Sequence, residues 1–211
     1  MPRFKQPLQG LSRLSDRMEG GGGGNSYHLV SISGNTSNNN YSFSGHQADD
    51  WLILITWSGG STPPNAANGF TTDFTQSFPF SIQGVRVQYQ IATSSSTVSG
   101  NSGGSLARSA QVIMRGIKGF GNHASFDPSS TAATEFSAIP DFTKGSFVIG
   151  ASPPGSDIQG VTRASDFQMI YPLLSPLSGV AIPLEYLDSF DGIPSFTTPT
   201  RTPTLSIEVL L

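Results

Sequence analysis

The hydrophobic residues between positions 25 and 211 recur in short runs with the period of a β-strand rather than that of a helix. The stretch VRVQYQIAT carries an apolar residue at every second position from Val85 to Ile91, a spacing that sends these side chains to one face of a strand. SYHLVSISG alternates in part, and AQVIMRGI, SFVIGA and TLSIEVLL are short runs rich in β-branched and aromatic residues. The pattern predicts an all-β domain, because no helix of ordinary length fits residues 25–211.

One run departs from this alternation. Trp51 to Trp57, WLILITW, is apolar at almost every position, so both of its faces need cover, as in a central sandwich strand or a strand beneath a partner subunit. Glycine and proline in SGGSTPP then end it, since glycine frees the backbone to turn and proline withholds the ladder donor. Burial of two Trp and four large aliphatic residues would contribute on the order of 10 kcal/mol before conformational entropy is subtracted. We expect this strand at the centre of the fold.

Segments rich in Gly, Pro, Ser and Asn separate the predicted strands. Five stretches have this composition and are predicted to be loops: 35–40, 59–68, 94–104, 153–160 and 194–203. The spacing of the strands between them predicts a jelly-roll-like antiparallel β-sandwich. A chain of 211 residues suits one such domain, which we place at residues 25–211.

The first 24 residues differ from the rest of the chain. Their apolar residues recur mainly at three- and four-residue spacing, which would line one side of a short helix while Arg13 faces elsewhere. These residues are Phe4, Leu8, Leu11, Leu14 and Met18. A helix this short is marginal in water, and Gly20 to Gly24 form a flexible tether. Residues 1–24 are therefore predicted to be a helical or extended arm that docks on a partner, with a frayed tail as the alternative.

Composition narrows the classes of function. Charged residues make up 12% of the chain and the formal net charge is −3, so there is no basic field to hold nucleic acid. No apolar run approaches the ~18 residues that a membrane helix requires, and the N-terminus lacks the apolar middle of a secretory signal. The chain contains no cysteine, which excludes disulfides and thiolate metal sites. We expect a soluble protein without cofactors that neither binds nucleic acid nor inserts into a membrane.

Two sets of residues resemble catalytic constellations. GNSGG, residues 100–104, is similar to the sequence around the nucleophile of chymotrypsin-like proteases, and His46, Asp73 and Ser102 stand in the matching chain order. His46 and Ser102 are too close in sequence for the two barrels that position such a triad. Asp127, Glu135 and Asp141 lie near one another in the chain and leave glycoside hydrolysis open as an alternative. We assign no catalytic residue.

Metal ligands are equally sparse. The three histidines, His28, His46 and His123, stand alone in different segments, without the short spacing of a transition-metal site. Asp188 and Asp191 in LDSFDG could hold calcium, but a turn capped by aspartate explains them with local hydrogen bonds alone. The sequence predicts no metal site.

Aromatic residues are the better candidates for binding. GFTTDFTQSFPFS is interpreted as an aromatic loop, and Phe120 and Phe126 as flanking another. The rings expected to reach a partner come from Phe74, Phe78, Phe120 and Phe126. They could stack on sugars or pack against neighbouring subunits, and the scarcity of charge favours subunit contact, because Lys and Glu are depleted where subunits meet.

Four segments in order, HQADDWLILITWSGG, GVRVQYQIAT, SAQVIMRGIKGFG and FTKGSFVIGA, resemble a β-sandwich module of tail-fibre and other virion proteins of bacteriophages and prophages. The resemblance covers roughly residues 29–151. In the module an Ala/Gly-Asp turn opens a buried strand, whereas this chain has Ala48-Asp49-Asp50. The C-terminal third matches less clearly.

The resemblance implies a virion protein without enzymatic activity. Its arm would dock on other virion proteins of the tail or head, and its sandwich would contact a glycan or protein of the host surface. It also implies a homo-oligomer, with a trimer favoured. A capsid decoration protein and a virion enzyme that degrades glycans are the alternatives.

Overall fold

The computed structural model describes residues 28–35, 40–103, 108–129, 134–144, 146–153, 167–169, 181–183, 192–196 and 202–211. Within these ranges the chain forms fourteen strands and no helix, and the strands pair antiparallel. This confirms the prediction of an all-β antiparallel sandwich. The arm, residues 1–24, lies outside the described residues.

The strands are β1 (His28–Asn35), β2 (Asn40–Phe43), β3 (Trp51–Ser58), β4 (Thr71–Phe78), β5 (Gln83–Ile91), β6 (Val98–Asn101), β7 (Arg108–Arg115), β8 (Gly119–Phe126), β9 (Thr134–Ser137), β10 (Phe147–Ala151), β11 (Phe167–Met169), β12 (Ala181–Pro183), β13 (Gly192–Phe196) and β14 (Thr204–Leu210).

Two five-stranded sheets form the sandwich. The front sheet has the strand order β1-β7-β3-β5-β4, and the back sheet has the order β11-β12-β10-β14-β8. Two smaller sheets, β2-β6 and β13-β9, complete the pairing. The strand that lacks alternation, β3, is thus the middle strand of the front sheet.

The core lies between the two large sheets. Every second residue of β3, Ile53, Ile55 and Trp57, enters it from the front sheet and is almost completely buried. The remaining members come from both sheets and include Val85, Val87, Val112, Met114, Ile149, Leu205, Ile207 and Val209. The alternating apolar side chains of the strands therefore form one continuous core.

The other face of β3 is also covered. Leu52 and Leu54 point away from the core and pack in a second apolar cluster with Tyr41, Phe43 and Phe70. Tyr41 and Phe43 belong to β2, whose pairing with β6 forms a small sheet over the front sheet. The prediction that the two-tryptophan strand is buried on both faces is confirmed, although Trp51 itself is only half-buried.

The outer face of the back sheet is covered through polar groups. Thr204, Ser206 and Glu208 alternate with the core residues of β14 and are fully buried. The hydroxyl groups of Thr204 and Ser206 donate to the backbone carbonyls of Glu135 and Ser137 in β9. The side chains of β14 thus attach the outer strand β9 by bonds to its backbone.

Glu208 stabilises an irregularity in the edge strand β8. The register shifts there, because Ile207 pairs with His123 and Val209 with Phe120, so two residues of β8 oppose the single residue Glu208. Its carboxylate accepts the backbone N–H of Asn122 at 2.7 Å and also that of Thr143 at 2.6 Å. A β-carbon on Gly121 would overlap this carboxylate, which explains the glycine at this position.

Several segments interpreted as loops are strands. Thr71–Phe78 in GFTTDFTQSFPFS forms β4, and Phe120 and Phe126 lie within β8 rather than beside a loop. β6 lies inside the predicted loop 94–104, and β13 overlaps the predicted loop 194–203. β4 and β8 both contain register shifts, which break the two-residue period that sequence patterns rely on.

Ser58 fixes the loop that follows β3. Its hydroxyl contacts the backbone carbonyls of Gly60, Thr62 and Gly84, and it lies 3.1 Å from the Gly84 N–H, from which it can accept. Gly84 on β5 lies directly under this loop, because a β-carbon there would sit 2.6 Å from backbone atoms of Thr62 and Pro63. Only glycine allows so close an approach of the two backbones.

We predict that Gly84→Ala destabilises the protein by about 1–3 kcal/mol, because the loop backbone must move to admit the methyl group. The matched variant Gly60→Ala places its methyl group in open space and is expected to change stability by less than about 0.5 kcal/mol. Urea unfolding at neutral pH measures both. Equal effects of the two variants would show that the loop does not pack on Gly84 as described.

Candidate functional site

A partly buried ion pair lies at the start of β3. Asp50 is fully buried and receives Arg115 of β7 through two hydrogen bonds, Nε to Oδ1 at 2.6 Å and Nη2 to Oδ2 at 2.8 Å. The Gln47 N–H donates to Oδ2 as well. Arg115 reaches solvent with 39% of its side chain exposed. The pair fastens the turn before β3 to the end of a neighbouring strand.

Burial alone would raise the pKa of the Asp50 carboxyl. The hydrogen bonds from Arg115 and Gln47, together with the positive charge of Arg115, outweigh this effect and hold the pKa below its ordinary value. The hydrogen bond to Asp50 raises the pKa of Arg115 in turn. Both groups are therefore charged at neutral pH, and each has a structural partner.

His46, Asp73 and Ser102, which follow the chain order of a protease triad, do not form a triad in the structure. The Asp73 carboxylate lies 2.8 Å from Nε2 of His123, not beside His46, although the contact lacks hydrogen-bond alignment. His46 is buried, and within the described residues neither of its ring nitrogens has a hydrogen-bond partner. Ser102 is 1% exposed. The Ser102 hydroxyl is therefore not accessible as a nucleophile.

Asp73 and His123 join the two large sheets along one side of the sandwich. Asp73 is the extra residue at the register shift of the edge strand β4, and His123 follows the shift of the edge strand β8. Phe74 stacks on the His123 ring with centroids 4.6 Å apart and an angle of 5° between the planes. Bulges in edge strands redirect side chains in this way, and here the redirected groups link the sheets.

An aromatic cluster is formed by rings of β3, β5 and β8. Trp51 stacks on Tyr89 at 4.7 Å, and Phe120 meets both rings edge-on at 5.8 and 5.7 Å. Phe74 and Phe120, proposed as surface rings from the sequence, are half-buried against the core. Their main contacts are therefore within the sandwich.

The other two proposed surface rings differ from each other. Phe126 is half-buried at the end of β8. Phe78 is 1% exposed and stacks on Trp57 at 5.8 Å, so the expectation of a surface role for Phe78 is wrong. The reason is its position at the end of β4, where it faces the core.

The exposed apolar surface is concentrated in the turn between β4 and β5, residues 79–82, which we call the tip. Phe80 is 56% exposed and Ile82 is 65% exposed, the two highest values among the large hydrophobic residues of the described chain. Asp127, at the end of β8, accepts the N–H groups of Phe80 at 2.8 Å and Ser81 at 3.0 Å, and also the Ser81 hydroxyl. The tip is therefore held rigidly from the opposite sheet.

Ile82 is conformationally unfavourable as well as exposed. Its φ of 51° lies in the left-handed region, where a β-branched residue is strained and glycine or asparagine is preferred. Folding alone thus favours another residue at position 82. Such strain at an exposed, rigid position is a feature of binding surfaces, and it makes the tip the candidate functional site.

The other candidate carboxylates occupy three different environments. Asp127 is engaged by the tip, Glu135 is half-buried on β9, and Asp141 is an exposed turn residue with φ of 54°. The described residues include no group of three His, Asp or Glu side chains that could hold a metal ion. Asp188, Asp191 and the side chain of His28 lie outside the described residues.

The fold and the site define the chain as an antiparallel β-sandwich protein with a rigid apolar tip. Comparisons with protein-family models, curated proteins and solved structures find no match for it. In the described part of the chain, no helix is long and apolar enough to cross a membrane.

Sequence reasoning identified the rings of this region but missed the residue that distinguishes it. Phe80 was counted among the aromatic residues of the segment, whereas Ile82 carried no signal, since isoleucine ordinarily indicates strand. The position of Ile82 in SFPFSIQG, just before a strand, offered only a weak hint of a turn. The role of Asp127 depends on contact between residues 46 positions apart and could not be read locally.

We predict that Asp50→Asn lowers the free energy of unfolding at neutral pH and also makes it less dependent on pH in the acid range. The lowered pKa of Asp50 contributes stability that is present above the unfolded value of about 4 and is lost as pH falls through the folded value. The variant should lose about 1–2 kcal/mol at pH 7, a modest figure because Arg115 is partly in solvent. The difference from the wild type should shrink below pH 4, measured by urea unfolding from pH 2.5 to 7.

Arg115→Met leaves the carboxylate buried without its charge partner and should cost more at pH 7 than Asp50→Asn. The double variant should recover part of that loss, because the uncompensated charge is gone. Parallel stability curves for Asp50→Asn and the wild type across the acid range would contradict the role given to this pair.

Proposed function

We propose that this protein is a non-enzymatic structural component of a bacteriophage particle. Residues 1–24 dock on other virion proteins of the tail or head, and the sandwich is displayed for contact with the host surface. The observation that carries the proposal is the place of the segments that resemble the virion module. They include β3, nearly all of β5 and β7, and β10. The first three are the adjacent inner strands of the front sheet, and β10 belongs to the back sheet.

The resemblance therefore concerns the scaffold of the fold and not its periphery. Its one marked departure, Ala48-Asp49-Asp50 in place of a Gly-Asp turn, is compatible with the backbone. Asp49 has φ of 68°, a region that glycine adopts most readily and that aspartate tolerates. Asp49 can thus occupy the turn that the module opens with glycine.

The use of the charged groups supports a structural role over catalysis. Asp50 pairs with Arg115, Asp127 binds the backbone of the tip, and Glu208 binds the backbone at the shift in β8. Each of these carboxylates has its acceptor oxygens directed at a donor of the same chain. A general acid or base needs such oxygens within reach of a substrate.

The exposed side chains support a display role. Loop residues 93–97 are exposed Thr and Ser, and β4 adds the exposed residues Thr71, Thr72, Thr75 and Ser77. Hydroxyl groups form hydrogen bonds with sugars or protein backbones without requiring a charged partner. This surface suits a host glycan or protein better than a polyanion.

The arm is tested in the full chain with Leu11→Asp/Leu14→Asp, which places two charges on its apolar side. We predict that this variant folds with an unchanged melting temperature but is lost from purified particles, measured by quantitative mass spectrometry. Arg13→Ala, which the apolar spacing of the sequence predicts to lie on the other side of the arm, is the matched control and should be incorporated like the wild type.

Two outcomes count against the proposal in different ways. Incorporation of the Asp variant at the wild-type level would show that the arm does not dock the protein. Absence of the wild-type protein from particles purified to homogeneity would remove the virion assignment itself.

A further inference from the structure

The outer side of the edge strand β4 offers backbone groups for pairing. β4 pairs with β5 on one side, and no described strand pairs with its other side. The Ser77 carbonyl accepts the exposed side-chain amide of its neighbour Gln76 at 2.9 Å. Gly84, the β5 residue paired with Ser77, has both its N–H and its carbonyl within hydrogen-bond distance of the Ser58 hydroxyl on β3. Ser77 and Gly84 are thus a non-hydrogen-bonded pair, and the Ser77 carbonyl points away from β5 toward the open edge.

The direction of the Ser77 backbone groups fixes the direction of the Thr75 backbone groups. In an antiparallel strand the N–H and C=O of one residue point to the same side, and this side alternates along the chain. Thr75 and Ser77 thus both present a donor and an acceptor outward, along a segment without register shifts from Phe74 to Phe78. The N-terminal half of the strand differs, because the bulge at Asp73 disrupts its edge.

The tip continues this open edge with apolar surface. Phe80 and Ile82 are exposed at 56% and 65%, and Asp127 holds the turn in place. The left-handed conformation of Ile82 shows that the side chain is kept at a cost to folding. Open edge and apolar tip form one continuous surface, residues 74–82.

The absence of charge on this surface indicates which kind of partner binds it. Residues 74–85 contain no charged side chain. A surface that meets its own copy must be self-complementary, and a patch of one sign would repel itself. A neutral edge with outward donors and acceptors in equal number meets this condition, since a strand can pair antiparallel with its own copy.

We propose that a second copy of this chain binds along β4 by antiparallel pairing across a two-fold axis centred near Gln76. In this register Thr75 faces the partner's Ser77, and the two front sheets join into one sheet of ten strands. The tip of each copy then lies beside the start of the other copy's β4. This contact is a dimer and not the trimer expected from the sequence resemblance, and it does not depend on the virion assignment.

The size of the contact makes it weak. A short stretch of strand edge and two apolar side chains fall below the roughly 800 Å² per partner that stable complexes bury. The dimer is therefore expected at high protein concentration or where copies are held close together. Its dissociation constant should be micromolar or weaker.

Sedimentation velocity of the full chain over a wide concentration range tests the proposal. The wild type should shift from monomer to dimer as concentration rises. Ile82→Asn relieves the left-handed strain, so it should raise the melting temperature by about 2–4 °C while weakening the dimer at least about tenfold. Because this variant gains stability, loss of the dimer cannot be attributed to misfolding.

Thr75→Pro removes an outward donor without removing a bond to β5 and should abolish the dimer. Ile91→Asn is the control, since Ile91 is 45% exposed at the far end of β5 and should leave dimerisation unchanged. A protein that stays monomeric to millimolar concentration overturns the proposal. So does an oligomer of any size that Ile82→Asn and Thr75→Pro leave intact.

Discussion

The fold depends on the burial of β3 from both sides. One face of the strand inserts Ile53, Ile55 and Trp57 into the core between the sheets, and the other places Leu52 and Leu54 under the β2-β6 sheet. A strand covered in this way requires an outer layer in addition to the sandwich. The small sheet and the turn around Phe70 therefore serve the same purpose as the core, because without them the outer leucines would face water.

Three carboxylates satisfy irregular backbone. Glu208 binds the N–H of Asn122 at the shift in β8 and that of Thr143, Asp127 binds N–H groups of the tip, and Asp50 holds the turn before β3. Each would be costly to bury alone, and each is matched to donors of the same chain. Carboxylates used in this way rigidify the regions where the chain leaves its regular strands. Of these regions, the tip is the one that exposes large apolar side chains.

The strands with an unbroken apolar pattern could be predicted from the sequence, and β3, β5, β7, β10 and β14 were found in this way. β4 and β8 were missed because the extra residues at Asp73 and near Gly121 shift the two-residue period, so that apolar residues on one face no longer alternate.

The site was harder to predict than the fold. The φ of Ile82 follows from the geometry of the hairpin and not from its residue type. The bond of Asp50 to Arg115 joins residues 65 positions apart, which only the topology brings together. Exposed rings were predicted as a class, but their burial depends on which face of an edge strand points inward, and Phe78 shows the consequence.

Cysteine accessibility tests the two-sided burial of β3 directly, because the chain contains no cysteine of its own. Single variants Leu54→Cys on the outer face, Ile55→Cys on the core face and Ser96→Cys in an exposed loop are treated with a thiol reagent under native conditions. Both β3 thiols should react at least about a hundredfold more slowly than the Ser96 variant until the protein unfolds. Rapid labelling of Leu54→Cys in the folded protein would contradict the account, since it would show that the outer face of the central strand is open.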